Sequence, residues 1–240
     1  MANKVCLVIG AGDATGGAVA KRFARDGFAV CATRRTVEKI EPLIASIRSD
    51  GGVAYGFGSD ARDEDQVVSL IADIEDNIGP IEVLVFNVGA NSPCSILSET
   101  TRRYTKMWEM ACLAGFLNAR EVAKRMVTRL ADAPTQQTGT PHKGSIIFTG
   151  ATASLRGSAN FAGFSGGKMA LRALAQSMAR ELGPMGIHVA HTIIDGAIDT
   201  EFIRTLFPDR YELKDQDGIL NPDHIADAYW MLHQQPRDAW

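Results

Sequence analysis

The residues that point most directly to chemistry are the glycines that follow the first predicted strand. Residues Val5 to Ile9 lead straight into Gly10-Ala11-Gly12-Asp13-Ala14-Thr15-Gly16-Gly17, where a helical pattern begins. Glycines let the backbone approach a pyrophosphate closely, and free N–H groups at a helix start favour its negative charge. The order strand, glycine turn, helix predicts a dinucleotide site, although such a turn can also be purely structural. The predicted contacts are Gly10, Gly12, Asp13, Ala14, Thr15 and Gly16.

Two arginines follow the second predicted strand, in the sequence Thr33-Arg34-Arg35. An NAD-selective protein usually has an acid there, which hydrogen-bonds the ribose 2′-hydroxyl. The planar forks of Arg34 and Arg35 suit a 2′-phosphate instead. We therefore expect NADP(H) as the cofactor in preference to NAD(H). The alternative is that the two arginines are solvated charges at a helix start.

The elements that must position these residues alternate along the chain, as in βαβ units. Nearly all-apolar runs predict parallel strands covered on both faces; they are Val5 to Ile9, Ala29 to Ala32, Val53 to Phe57, Val83 to Phe86, Ser145 to Phe148 and Ile187 to Ile194. Helical spacing occupies Gly16 to Asp26, Val37 to Ser49, Glu64 to Asn77, Thr101 to Ala131 and Phe161 to Leu182. The pattern predicts a Rossmann-type, doubly wound α/β sheet in a single domain over residues 1-240, with helices on both faces.

The composition argues against several classes of partner. A net charge of -3 gives no basic surface for nucleic acid or an anionic membrane, and no apolar run approaches the roughly 20 residues that span a bilayer. His188 and His191 would point to opposite faces of a strand, so we expect no metal site. We expect a cytoplasmic protein with free thiols at Cys6, Cys31, Cys94 and Cys112.

Two segments are interpreted as connections. Residues Asp132 to Lys143 are mostly polar and contain two prolines and a glycine, which predicts a surface loop. Residues Thr200 to Asn221 follow the sixth predicted strand and should border the substrate pocket as a lid. We expect an apolar lining from Phe202, Leu206, Phe207 and Tyr211, whereas Arg204 and Arg210 either attract an acidic group or form a solvated face.

Taken together, separated motifs make the chain resemble the short-chain dehydrogenase/reductase family over essentially its whole length. Gly10 and Gly16 match the first and third glycines of that family's TGxxxGxG turn, with Ala14 at the second. Asp60, with Ala61 beside it, matches the aspartate that contacts the adenine ring. The resemblance thus assigns these residues to cofactor binding.

Later motifs extend the resemblance to the nicotinamide end of the cofactor. The segment Asn87-Val88-Gly89-Ala90 is similar to the family's NNAG segment after the fourth strand, and Asn87 and Gly89 are expected to contact the cofactor. After the sixth strand, Gly196, Ile198 and Thr200 match the segment that grips the nicotinamide carboxamide, although Asp195 replaces its proline.

The catalytic segment departs from the family. The usual YxxxK becomes Phe164-Ser165-Gly166-Gly167-Lys168, the catalytic serine aligns with Ala151, and the helix asparagine aligns with Cys112. Phe161 occupies the tyrosine position of the longer enoyl-reductase spacing, so that pattern does not restore the site. Of the four family residues only Lys168 is retained, and the resemblance implies that it holds the nicotinamide ribose; a solvated lysine is the alternative.

These departures change the expected chemistry. Carbonyl reduction needs a proton at oxygen, and phenylalanine has none to give. A substrate with its own electron sink, such as an activated C=C or an imine, could still be reduced with help from water or Ser165. Thr152, Ser154 and Ser165 could replace the missing donors or could simply cap local structure. Phe161 and Phe164 could be ordinary packing residues.

Two functions follow as hypotheses. The first is an NADP(H)-dependent oxidoreductase of a small organic substrate with an atypical active site. The second is a catalytically silent NAD(P)-binding sensor or structural subunit. The resemblance also implies a homodimer or homotetramer formed by the two long helices. After Pro222 we expect a helix over Asp223 to His233. The sequence stops at Trp240, where the resemblance would place a seventh strand, so either this sheet edge is absent or the chain is shortened.

Overall fold

One parallel sheet organises the chain. The computed structural model describes residues 4–89, 91–131, 142 and 144–240. In this part of the chain the sheet contains β1 (Val5–Ile9), β2 (Ala29–Arg34), β3 (Val53–Gly58), β4 (Ile81–Phe86), β5 (Gly144–Ala151) and β6 (Ile187–Ile194). Their order is β3-β2-β1-β4-β5-β6, so the direction of winding reverses between β1 and β4. Ligands of such sheets bind at this reversal, beyond the carboxyl ends of the strands.

Helices pack on both faces of the sheet. Their bounds are α1 (Thr15–Arg25), α2 (Glu41–Ser49), α3 (Glu64–Asn77), α4 (Thr101–Trp108), α5 (Ala114–Ala131), α6 (Ala162–Leu182), α7 (Glu201–Leu206), α8 (Pro208–Tyr211) and α9 (Pro222–Gln234). One face carries α1, α2 and α9. The other carries α3, α5 and α6. This arrangement confirms the predicted doubly wound α/β fold.

The core explains why the strands are almost wholly apolar. Val5, Leu7 and Ile9 of β1 belong to the cluster under α3, α5 and α6. Cys6 and Val8, which alternate with them, belong to the cluster under α1, α2 and α9. Because successive side chains of a strand point to opposite faces, a sheet covered on both sides needs apolar residues at every position.

Two predicted helices are divided in the structure. The segment 101–131, expected as one helix, contains a π-helical turn at Glu109–Leu113 between α4 and α5, and this turn includes Cys112. The segment from Val37 to Ser49 begins as a 3-10 turn at Val37–Lys39, and α2 starts at Glu41 with a proline in its first turn. Hydrophobic spacing predicts a helix but does not show where one extra residue widens a turn.

Beyond α9 the chain does not return to the sheet as a strand. Over the described residues β6 is the last strand, so the seventh strand implied by the resemblance is not formed there. A 3-10 turn at Arg237–Ala239 follows instead. The ring of Trp240 then stacks on His188 of β6, with 4.7 Å between the ring centroids. The expected helix over Asp223 to His233 is present as α9.

Some predictions concern residues outside the described ranges. The predicted surface loop from Asp132 to Lys143 lies outside them, apart from His142, and so does Ala90 of the segment after β4.

Among the helices that the structure describes, none has the length and apolar character needed to cross a membrane. Likewise, no group of three or more His, Cys, Asp or Glu side chains in the described ranges is arranged to hold a metal ion.

Candidate active site

The glycine turn after β1 is packed closely against the end of β4. Gly10 has a φ of +82°, a conformation that favours glycine. A Cβ atom on Gly16 would lie 2.7 Å from the carbonyl oxygen of Gly10, whereas one on Gly12 would meet nothing within 4 Å. The turn is therefore closed at Gly10 and Gly16 and open at Gly12, which leaves room for a ligand beside the backbone.

The start of α1 keeps its backbone donors available. Its N-cap residue is Ala14, which has no side chain to accept a hydrogen bond, and its first turn contains no acid. The free N–H groups and the positive end of the helix dipole favour an anion there. Asp13 precedes this start, and its carboxylate lies 3.4 Å from Nη1 of Arg34. These features suit the predicted pyrophosphate position.

Asn87 connects β4 to the glycine turn. Its backbone N–H donates to Ile9 O at 2.9 Å, and its side-chain Nδ2 donates to Gly10 O at 3.1 Å. Gly89, two residues later, faces Lys168, since a Cβ on it would lie 3.3 Å from the lysine Nζ. The segment after β4 thus joins the glycine turn to the lysine of α6.

A smaller cavity of about 270 Å³ lies on the β2 side of the glycine turn. Arg34 and Arg35 line it together with Ser59, Asp60, Ala61, Arg62 and Met110. Arg34 Nη1 donates to Lys39 O at 3.2 Å, and Arg35 is exposed. Ala61 O accepts a 3.1 Å bond from Asn118 Nδ2 of α5. The structure therefore brings the two predicted arginines and Asp60 to one cavity.

Asp60 has a partner that sequence reasoning missed. Arg62 donates from Nε to Oδ1 at 3.0 Å and from Nη2 to Oδ2 at 2.6 Å, and its backbone N–H also donates to Oδ1 at 3.1 Å. These bonds hold the pKa of the Asp60 carboxyl below its usual value. Both carboxylate oxygens are thus already bonded. The aspartate expected to meet adenine also fixes a third guanidinium in the same cavity, a pairing that the two-residue spacing could have suggested.

A larger cavity of about 630 Å³ lies beyond the carboxyl ends of β4, β5 and β6. From the glycine turn it is lined by Gly12 to Gly16, and from the other elements by Asn87, Val88, Gly89, Asn91, Thr149 to Ala153, Ser158, Phe161, Phe164, Ser165, Lys168, Ile194, Asp195, Gly196, Ile198 and Arg210. Phe164 and Ala151, which stand at the substituted catalytic positions, are both in this lining. Cys112 lines neither cavity.

Lys168 is buried beneath this cavity, with only 4% of its surface exposed. Its Nζ donates to Thr149 O at 2.8 Å and to Val88 O at 3.2 Å. Burial lowers the pKa of this amine to about 8. Two of its three donors are used within the protein, which leaves one for a ligand. The interpretation of Lys168 as a solvated lysine is therefore wrong.

The hydroxyl groups near the substituted positions are largely engaged elsewhere. Ser154 Oγ accepts a 3.2 Å bond from Ala151 N, which is a local cap, and Thr152 Oγ1 donates to the carboxylate of Asp195. Ser165 Oγ is buried and makes no hydrogen bond within the described ranges. Ser165 also lines the larger cavity, so of these three hydroxyls it is the one without a partner in the described ranges.

The segment after β6 meets the cavity through its first half. Gly196 and Ile198 line it, and Ile198 pairs with Leu220 in an isolated parallel bridge. Thr200 instead accepts a 3.2 Å bond from Ile203 N and so caps α7. It lines neither cavity. The side chain that the resemblance assigns to the nicotinamide carboxamide therefore has a structural role in this conformation.

The segment 200–221 contributes less to the cavity than expected. Of its residues Arg210 is in the lining, whereas Phe202, Leu206 and Phe207 are about half exposed or more. Tyr211 turns to Asp199, to which its hydroxyl donates at 2.8 Å. The predicted apolar lining from these side chains is not formed, because α7 and α8 direct them to solvent and to Asp199.

Comparison with known proteins identifies a family. Residues 4–210 match the family model described as short chain dehydrogenase. The 3-oxoacyl-(acyl-carrier-protein) reductase MabA of Mycobacterium avium is 30% identical over 204 residues, which are 85% of this chain and 71% of that protein. The sorbitol-6-phosphate 2-dehydrogenase of Escherichia coli is 26% identical over 229 residues, which are 95% of this chain and 83% of that protein.

Solved structures agree with this identification. A crystal structure of a short-chain dehydrogenase from Rhodopseudomonas palustris is 44% identical, with a TM-score of 0.81, and covers 100% of this chain and 96% of that one. A metagenomic short-chain oxidoreductase in complex with NADP shares the fold at 22% identity, with a TM-score of 0.79 over 100% of this chain and 95% of that one. The chain therefore belongs to the short-chain dehydrogenase/reductase family of oxidoreductases.

Proposed function

We propose that the protein is an NADP(H)-dependent oxidoreductase of a small organic substrate whose site lacks the family's proton donor. The observation that carries this proposal is the pair of cavities at the β1–β4 reversal, which share Gly12, Asn87, Val88 and Gly89 in their linings. A dinucleotide consists of two nucleotides joined by a pyrophosphate. The two cavities meet beside the glycine turn and the start of α1, so each cavity suits one nucleotide and the turn suits the pyrophosphate.

The smaller cavity supports the preference for NADP(H). Its three arginines, Arg34, Arg35 and Arg62, carry charge that suits a 2′-phosphate, and its acid, Asp60, is bonded to Arg62. Titration with NADPH and NADH, followed by the shift in melting temperature, tests this preference. Tenfold or tighter binding of NADH would contradict the role given to the arginines.

The larger cavity supports a nicotinamide beside Lys168. When bound, the cofactor supplies hydride transfer. Lys168 would hold the nicotinamide ribose with its remaining donor, Gly196 and Ile198 would border the carboxamide, and Phe164 would give the cavity an apolar wall. Phe164 and Ala151 stand at the positions of the usual acid and polarising hydroxyl. Hydride transfer would therefore need a substrate that carries its own electron-accepting group.

The substitutions at Phe164 and Ala151 also favour a second candidate, a catalytically silent NAD(P)-binding sensor or structural subunit. The two functions are separated by turnover of NADPH on a panel of ketones, enones and imines, with wild type beside the double substitution Phe164→Tyr and Ala151→Ser. Turnover by wild type supports the enzyme. Activity in the double variant alone supports the silent protein.

We also propose a cytoplasmic homodimer or homotetramer built from one domain over residues 1-240, with residues 200–221 as a lid. The observations in favour of assembly are exposed apolar side chains on the long helices, namely Tyr104, Trp108, Phe116 and Met169. Light scattering coupled to gel filtration measures the assembly. A charge introduced at Trp108 should shift it towards monomer.

A further inference from the structure

We infer that the hydride acceptor at this site is a cationic iminium carbon, a C=N⁺ group that needs no proton from the protein. This inference rests on the proposed oxidoreductase function and specifies its substrate class. Two observations carry it: the positions of the family's proton donor and polarising hydroxyl in the larger cavity are Phe164 and Ala151, and the same lining contains an exposed carboxylate and two aromatic rings.

The first observation concerns proton donors. Phe164 and Ala151 have no exchangeable side-chain proton, and Ser165 in the same lining has an aliphatic hydroxyl, which is not an acid near neutral pH. The hydroxyl of Thr152 already donates a hydrogen bond to the carboxylate of Asp195. Lys168 uses two of its three donors on backbone carbonyls, and in the proposed function the third holds the nicotinamide ribose. The exposed polar side chains of the same lining include Asn91, Ser158 and Arg210, none of which is a carboxylic acid, an imidazole or a phenol.

The second observation concerns charge. Asp195 lines the cavity next to Gly196, is exposed, and accepts one hydrogen bond from Thr152, so its carboxylate can also face a ligand. The rings of Phe161 and Phe164 line the same cavity. A carboxylate and aromatic faces both stabilise a cation. Arg210, also in the lining, suits an acidic group elsewhere on the same substrate.

The electron balance of iminium reduction matches this lining. Hydride from the reduced nicotinamide forms a C–H bond at the iminium carbon, and the C=N π pair becomes the nitrogen lone pair. NADPH becomes NADP⁺ and the product is a neutral amine, which takes a proton from solvent after release. A ketone would instead leave an alkoxide, and an enone an enolate, each of which needs a proton, and the position of the family's proton donor is Phe164.

The test compares substrates of one shape. An N-methyl dihydroisoquinolinium with a methyl group at the reacting carbon is assayed beside tetralone, a ketone of similar outline, and beside cyclohexenone, with the rate without protein subtracted. We expect kcat/KM for the iminium to exceed that for the ketone by about 100-fold or more. The amine should also form with an excess of one enantiomer, since the site presents one face of the iminium to the hydride.

Asp195 provides the second arm of the test. Asp195→Asn should lower kcat/KM for the iminium about tenfold, mainly through KM, and should weaken binding of the product amine, measured by calorimetry, by a similar factor. NADPH affinity should not change. Asp209→Asn, at an exposed acid of α8 that lines neither cavity, is the matched control and should behave as wild type.

The outcomes distinguish a failure of the iminium inference from a failure of the oxidoreductase proposal. Equal turnover of ketone and iminium, turnover of the enone without the iminium, or an unchanged Asp195→Asn variant overturns the inference and leaves the oxidoreductase proposal standing. Absence of any NADPH-induced thermal shift overturns that proposal and the inference with it.

Discussion

The Nζ atom of Lys168 in α6 donates to the carbonyl oxygen of Thr149, near the end of β5, at 2.8 Å. The same ammonium bonds Val88 O after β4 at 3.2 Å, so one side chain joins the ends of two neighbouring strands. A buried charge costs free energy unless its hydrogen bonds are satisfied. The lysine is thus part of the scaffold of the cavity as well as of its lining.

Replacing Lys168 with methionine should lower both stability and cofactor affinity. The substitution leaves Thr149 O and Val88 O without their buried donor, which we expect to cost about 1–3 kcal/mol in the free energy of unfolding. Urea denaturation measures this change, and fluorescence titration measures NADPH binding. Lys106→Met, at an exposed position of α4, is the control and should alter neither quantity. A Lys168→Met protein with wild-type stability would argue against a structural role.

Gly12→Ala should separate ligand binding from folding. The added Cβ would meet no protein atom within 4 Å, so we expect the free energy of unfolding to change by no more than about 0.5 kcal/mol. The same Cβ would occupy the open side of the turn, where a pyrophosphate would lie, and should weaken NADPH binding at least about tenfold.

Its control is Gly157→Ala, where a Cβ likewise meets nothing within 4 Å but the position lines neither cavity. That variant should match wild type in both measurements. Unchanged NADPH affinity in Gly12→Ala would show that the pyrophosphate lies elsewhere.

The fold could be predicted from hydrophobic patterning because a sheet covered on both faces leaves a clear signal. β1 and β6 have the predicted bounds, and the other strands are longer than predicted, β4 by Ile81 and Glu82 at its start and β2, β3 and β5 by polar or small residues such as Arg34 and Ala151. The π turn around Cys112 could not be predicted, since it preserves the apolar spacing on both sides. The resemblance implies a seventh strand, and the described residues contain none after β6.

The site was predictable where backbone geometry dictates the residue. Gly10 and Gly16 are such positions, because a side chain at either would be strained or would clash. Side-chain partners were not predictable in this way. Arg62 was missed, Thr200 caps a helix, and Ser165 is enclosed, because each outcome depends on contacts between distant segments or on rotamers that spacing does not encode.

Arg35→Ala should weaken NADPH binding more than NADH binding. Arg35 is exposed in the lining of the smaller cavity, whereas Arg34 is partly engaged with Lys39 O. Loss of one charge-assisted bond to a phosphate corresponds to about a tenfold rise in the NADPH Kd, with the NADH Kd changed by less than about twofold. Calorimetric titration of both cofactors measures the difference. Arg25→Ala, at an exposed arginine of α1 outside both cavities, serves as control.

Acid should destabilise the protein through His233. Its Nδ1 lies 2.9 Å from Ser145 Oγ, and burial, followed by the charges of His142, Lys4 and His188, lowers its pKa from 6.5 to about 4. Between pH 6.5 and about 4, the unfolded chain therefore binds a proton at this histidine that the folded protein does not bind. The contribution of neutral His233 to the free energy of unfolding is complete above pH 6.5 and is lost as the pH falls through about 4.

His233→Gln should reduce this dependence, because glutamine can keep a hydrogen bond to Ser145 without titrating. Between pH 7.5 and pH 4.5, the free energy of unfolding of this variant, measured by chemical denaturation, should fall by about 1–3 kcal/mol less than that of wild type. His224→Gln, at an exposed histidine of α9, should lose as much stability as wild type. If the His233 variant lost as much stability in acid as wild type, another histidine, such as the partly buried His191, whose pKa burial lowers to about 4, would have to account for the loss.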